Sequence, residues 1–167
     1  MSRIAAVLQE LGQEAVTTRR LLERVPEDKF DWRPHPKART LGQLALHVAA
    51  VPGIVAGFAF QPSPVQIPRF DGDPSPASVA DLLAAHDQSL DAAAAKVGTL
   101  TDDALDAPWR LLAGDRELMA QPFGGVLRSI MLNHWYHHRG QLSAYLRELD
   151  VPIPSIYGPS ADHNPFA

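Results

Sequence analysis

At 167 residues with no cysteine, the chain is long enough for one domain with a buried core, and it has no disulfide framework, thiolate metal site or cysteine nucleophile to offer. Its 15 basic and 19 acidic residues give a net charge of −4 with no lysine or arginine cluster, which argues against a phosphate-tracking surface and so against nucleic acid as a partner. The opening segment turns polar by Gln9 and Glu10, so no signal-peptide core is expected; nor is an apolar run of membrane-spanning length, and a cytoplasmic protein with a single domain over 1–167 is the default.

Ile4, Leu8, Leu11, Ala15 and Leu22 recur at helical spacing, predicting an amphipathic helix from Ser2 to about Arg24. The following Phe30-Asp31-Trp32-Arg33-Pro34-His35-Pro36 carries too many prolines for a helix and reads as a loop with buried anchors. A second helix starts at Thr40-Leu41-Gly42-Gln43, where threonine three residues before glutamine matches a capping box. Its inward stripe is Leu44, His47, Val48, Val51, Ile54, Val55 and Phe58. Gln61-Pro62-Ser63-Pro64 then opens a proline-rich connection to Pro76 in which no regular structure is expected.

Ser75-Pro76 reads as cap and first turn of a third helix, with Val79, Leu82, Leu83, His86, Leu90, Ala94 and Val97 on its stripe up to Gly98. From Thr101 to Gln121 the pattern is mixed, and Trp109 to Met119 around Gly114-Asp115 fits either a short hairpin or an irregular excursion. A fourth helix is predicted from about Gly125 to Leu149, with Val126, Ile130, His134, His138, either Gln141 or Leu142, and Tyr145 on its core stripe. The proline-studded tail from Val151 is expected to drape over the molecule. The economical architecture is all-α: one four-helix bundle with irregular loops and an extended C-terminal tail.

Three of the seven histidines fall within Asn133-His134-Trp135-Tyr136-His137-His138-Arg139-Gly140-Gln141. Residues four apart share a helix face, so His134 and His138 can meet one ion, while His137, three residues after His134, is a rival that periodicity does not eliminate. His47 on the second helix supplies a third inward imidazole, and a shared divalent ion would satisfy nitrogens that are costly to bury unpaired. Trp135 stands where a metallopeptidase helix of the His-Glu-x-x-His type has its glutamate, so that mechanism is not expected. Carboxylates are nearly absent from the inward stripes, which points to one metal rather than two. A histidine-only triad leaves the ion an open position for water or a thiol. His86 alone reads as a hydrogen-bonded core residue and His163 as an exposed tail residue. Tyr136 and Tyr145 read as packing, and Trp32 and Trp109 as anchors that pin loops.

Thr40-Leu41-Gly42-Gln43-Leu44-Ala45-Leu46-His47, taken with the distant His134-x-x-x-His138-Arg139-Gly140-Gln141 and with Trp32-Arg33-Pro34, resembles the DinB/YfiT-like metal-binding four-helix bundles over nearly the whole chain. The resemblance implies up-down-down-up connectivity with a long crossover between the second and third helices, and a homodimer. It also implies a mononuclear site, commonly zinc or nickel, on His47, His134 and His138, which favours His138 over His137. Arg139 and Gln141 are then candidates either to orient that site or to tie helices together. Some relatives look like thiol-dependent transferases or isomerases acting on small electrophiles. The resemblance therefore implies a small-molecule substrate and a low-molecular-weight thiol as possible cofactor, with hydrolysis of small molecules or a non-catalytic, metal-stabilised binding module as alternatives.

Overall fold

The computed structural model describes residues 2–69 and 72–166; residues 70 and 71, inside the expected irregular connection, and 167, at the end of the expected tail, lie outside this range. Four long helices carry the fold. Helix α1 is Arg3–Leu22, α2 Leu41–Ala59 and α3 Val79–Gly98. Helix α4 runs over 123–148 as an α-helical turn Phe123–Val126, a π-helical segment Leu127–Asn133 and an α-helical segment His134–Glu148. Its start, expected at Gly125, lies two residues earlier on Pro122, which offers no side-chain cap. Instead the Phe123 N–H donates to Ala107 O.

Side-chain contacts give the helix directions. Arg3 reaches Asp106 while Arg19 reaches Asp87, so α1 and α3 are antiparallel. Glu10 meets Arg128 and Glu14 meets Arg139, so α1 and α4 are parallel. Gly53 meets Ser89 while Gly57 lies near Ala92 and Lys96, so α2 and α3 are parallel. The core is filled by Leu11, Leu21, Leu22, Leu44, Val48, Leu82, Met131 and Trp135, all at most 2% exposed.

The start of α2 accounts for each of its first amide donors. Leu41 N–H donates to Trp32 O and Gly42 N–H to Phe30 O, while Thr40 Oγ1 accepts from Gln43 N–H and Gln43 Oε1 accepts from Thr40 N–H, completing the capping box. Gly42 lies against Ser75 Oγ and Phe30, where a β-carbon would be crowded. Ser75-Pro76 lie outside the helix they were expected to open, which begins at Val79. The cap of α3 is Ser78, whose Oγ accepts from Asp81 N–H, with Glu27 accepting from Val79 N–H.

Pro52 lies inside α2. It has no N–H for the carbonyl four residues earlier, a defect that would leave Val48 O orphaned in the core. The indole N–H of Trp135, from α4, fills that place at 2.8 Å, and the next amide, Gly53 N–H, turns to Ser89 Oγ of α3, also at 2.8 Å. A β-carbon on Gly53 would stand 2.9 Å from the Ser89 Cα, so the close approach of α2 and α3 needs this glycine.

The molecule is not purely helical. Strand β1 (Val65–Gln66) lies inside the connection expected to have no regular structure, and β2 (Pro108–Ala113) and β3 (Arg116–Pro122) form the hairpin around Gly114-Asp115. The sheet order is β1-β2-β3, with β1 parallel and β3 antiparallel to β2. Gly114 takes a left-handed φ of 61° at the turn, and the register slips between Leu111 and Leu112 as a bulge. Two tryptophans are loop anchors as expected: Trp109 donates to Ala59 O at the end of α2, and Trp32 packs edge-on to Tyr145.

Helix α2 is more apolar than its sequence reading allowed for, and it is a core helix. By length and composition, with mean hydropathy 1.6, Leu41–Ala59 is apolar enough to cross a membrane, and more than half of it is buried inside the protein. It is apolar all round because one face meets the core and another lines cavities described below.

Two expected outcomes follow. Trp135→Phe removes the donor to Val48 O and should cost about 1–3 kcal/mol, whereas Pro52→Ala supplies a replacement N–H. Urea unfolding of both single variants and the double variant should therefore show a favourable coupling of about 1 kcal/mol or more; additivity within about 0.5 kcal/mol would refute the assignment. The second concerns His86, 1% exposed, whose Nε2 has no hydrogen-bond partner among the described residues. Burial beside Trp135 lowers its pKa, opposed by Asp87 and assisted by Arg19. Because the folded pKa lies below the unfolded value of about 6.5, stability from neutral His86 is present above that pH and lost as pH falls. His86→Leu should raise unfolding free energy at pH 7 by about 1 kcal/mol, and its advantage over the parent should widen at pH 5.5 with metal chelated from both.

Candidate metal centre

One turn after the capping box, α2 presents His47; from α4 come His134 and His138. One nitrogen from each of these imidazoles lies within 4.8 Å of the other two, a grouping able to hold a metal ion. His47 Nε2 and His134 Nε2 are 3.2 Å apart, and the ring centroids of His138 stand 4.4 Å from His47 and 4.5 Å from His134. Two imidazole nitrogens facing each other at this distance need a proton or a cation between them. His138 Nδ1 is 2.7 Å from Gln141 Oε1, so Nδ1–H donates there and Nε2 carries the lone pair.

Burial pushes the His47 pKa down to about 4, with the Arg39 charge and the other two histidines adding to it. His138 is likewise held at about 4 by burial, against the opposing bond to Gln141, and burial lowers His134 too. Burial thus favours the neutral form of all three rings, the state in which imidazole is a ligand. The donor set is all nitrogen, borderline in softness, and fits one zinc or nickel ion while leaving coordination positions for another molecule.

These histidines do not lie in the core as expected. The buried line of α4 is Leu127, Met131, Trp135, Arg139, Leu142 and Leu146, and the histidines lie beside it, His134 exposed and His138 half-buried. On α2 the buried line Leu44, Val48, Val51 and Val55 is similarly flanked by half-buried His47 and Phe58 and by exposed Ile54. The π-helical segment ends immediately before His134, and its wider turn shifts the rows that a uniform 3.6-residue period predicts.

The histidines open into a cavity of about 410 Å³ that also takes in Arg39, Gln43, Leu46, Ile54 and Asp73. Arg39 Nε donates to Asp73 Oδ2 at 2.8 Å, and this bond is the main reason the Asp73 carboxyl stays well below the usual carboxylate range. Gln43 Nε2 donates to Asp73 O, so the residue that caps α2 also holds the crossover over the site. Neither Arg39 nor Asp73 belongs to any periodic stripe. The only sequence signal for Asp73 is its setting in Gly72-Asp73-Pro74, a turn-forming run in the crossover.

Other candidates lie elsewhere. His137 is exposed and outside the group, as is His163, whose Nδ1 accepts from Ser155 N–H in the tail. Arg139, 1% exposed, makes no bond to the histidines; it pairs with Glu14 at 2.6 Å, donates to Thr18 and Tyr157, and stacks on the rings of Tyr136 and Tyr157. It ties α4 to α1 and to the tail, whereas Gln141 orients His138. Tyr136 donates to Glu10, and burial raises its pKa. Tyr145 OH points to Arg39 O at 3.5 Å.

Comparison with known proteins bears on the fold and the family. An uncharacterized protein, YrdA of Bacillus subtilis (strain 168), is 27% identical over 150 residues, covering 89% of this chain and 84% of its own length. Among solved structures, a DinB-like protein from Bacillus cereus ATCC 10987 superposes with a TM-score of 0.68 at 22% identity, covering 94% of this chain and all of that one. A second, the DinB-like YjoA of Bacillus subtilis, gives 0.65 at 18% identity over 87% of this chain and 92% of its own. The family profile described as the DinB superfamily matches residues 10–142. This protein belongs to the DinB superfamily.

Proposed function

We propose that the protein is a mononuclear metal-dependent enzyme that joins a low-molecular-weight thiol to a small electrophile, with His47, His134 and His138 as the ligands of one zinc or nickel ion. The observation that carries this reading is the convergence of three neutral imidazole nitrogens within 4.8 Å at the wall of a 410 Å³ cavity. When bound there, the ion supplies positive charge that favours the deprotonated form of a thiol or water.

The chain's own residues do the rest. Gln141 fixes the tautomer of His138, and the Trp135–Val48 bond sets the distance between the helix carrying His47 and the helix carrying the other two. Arg39 gives the cavity a cation able to meet a carboxylate on the incoming thiol, in exchange for or alongside Asp73. In the overall reaction the S–H bond breaks, a sulfur–carbon bond forms, and the group displaced from carbon departs with the proton. In isomerisation through such an adduct, the same bond later breaks and the thiol is returned.

Metal analysis of untagged protein should give close to one equivalent per chain, lost in His47→Ala and His138→Ala. Gln141→Leu should keep the ligands but weaken metal affinity about 10–100-fold. A full complement of metal in both histidine variants would exclude the site. Incubating the loaded protein with glutathione, mycothiol or bacillithiol and a panel of electrophiles should yield thioether adducts by mass spectrometry. Cleavage of esters or amides without any thiol would assign hydrolysis instead, and a metal that raises stability while exchanging no small ligand would assign a non-catalytic module.

A further inference from the structure

A second cavity, of about 220 Å³, meets the first at the histidines: His47, His134 and Ile54 line both, whereas His138, Arg39 and Asp73 line only the larger one. Apart from the two imidazoles, the described residues that line it are all apolar. They are Val51, Val55 and Phe58 of α2, Leu111 of β2, Ile130 of the π-helical segment, and Ile67 just after β1. Ile67 N–H donates to Leu112 O at 2.8 Å, so the small sheet holds Ile67 beside Leu111 as a wall of this slot.

The two chambers differ in what they can hold. The larger has a guanidinium, a carboxylate and an amide. Among the described residues the slot has no side-chain donor or acceptor except imidazole nitrogens that the proposed ion would occupy, so a polar group placed there would give up its water without replacement. An apolar group placed there removes hydrocarbon from water on every side.

We infer that the two substrates enter from opposite sides of the histidine cluster: the polar thiol in the Arg39–Asp73 chamber, and in the apolar slot a hydrocarbon arm of an electrophile whose reactive carbon stops at His47 and His134. The substrate class is thus an amphiphilic electrophile with a short aliphatic or plain aromatic arm. This rests on the metal reading above and adds the identity of the arm.

The test uses full-length, metal-loaded protein and straight-chain hydroxamic acids from acetohydroxamic to octanohydroxamic acid, whose shared headgroup binds the metal and whose tails probe the slot. Calorimetric Kd should fall roughly fourfold per added methylene until the slot is full, then level off. Ile130→Phe, which fills the slot, and Ile67→Asp, which sets a charge at its edge, should each bring octanohydroxamate to within about threefold of acetohydroxamate, by the same per-methylene scale. Metal content and acetohydroxamate affinity should stay unchanged in both. Equal affinity across the series with acetohydroxamate still bound overturns the slot assignment and leaves the metal reading standing, the slot then being a packing defect. A chain-length dependence that survives both substitutions places the arm elsewhere and also overturns it. Failure of every hydroxamate to bind the loaded protein overturns the slot assignment and the open coordination position together, and leaves a metal that serves a non-catalytic module.

Discussion

The carbonyl of Val48 is the point on which the arrangement of the bundle depends. Proline in a helix interior removes one hydrogen bond and is unfavourable by about 3 kcal/mol against alanine, yet Pro52 sits in the middle of α2. The bond it removes is restored from outside by Trp135 Nε1, and the neighbouring amide at Gly53 is taken by Ser89 Oγ. Three helices are thereby joined at one level by directional bonds inside the core. Val48 follows His47 and Trp135 follows His134, so the bond that repairs the helix also fixes the separation of two imidazoles on different helices.

The histidines occupy the seam between packed core and open cavity. Full burial would leave an ion no room for another molecule, and full exposure would let water compete for every position. The half-buried setting keeps the rings neutral, and Gln141 chooses the nitrogen that His138 presents. On the other face of α4, Arg139 is enclosed between two tyrosine rings and bonded to Glu14, which holds the helix against α1 and the tail. Removing one partner of such a buried pair is far more damaging than the pair is stabilising, so Arg139 acts as a lock on orientation.

Segments outside the four helices form the walls of the site. The crossover between α2 and α3 brings Asp73 to Arg39, held there by the Gln43 amide and by the absence of a side chain at Gly42. The β2–β3 hairpin and the two residues of β1 carry Leu111 and Ile67 to the opposite side. A polar chamber and an apolar slot thus share the His47 and His134 rings.

The amino-acid sequence by itself determined what depends on near neighbours. The four helices were legible from the 3.6-residue recurrence of leucine, valine and alanine, and the start of α2 from Thr40 and Gln43, because a capping box closes within four residues. His134 and His138 were legible as a pair from their four-residue spacing, and His47 as a third imidazole from the apolar stripe of the second helix; the choice against His137 came from resemblance to a family. Tertiary structure decided everything that depends on distant contacts. Periodicity alone placed the histidines on the core stripe, but in the α-helical segment that carries them Trp135, Arg139, Leu142 and Leu146 take the buried line and leave His134 and His138 at its edge. The Ser75-Pro76 pair has the local form of a helix start, but Ser78 took that role, with Glu27 from a distant loop accepting from Val79 N–H. The two-residue strand β1 exists only because β2 lies beside it, and Arg39 and Asp73, 34 residues apart, meet only when the crossover closes over α2. Such contacts have no period and no local signature, since the bond that stabilises each residue is supplied by a part of the chain that folding alone brings near.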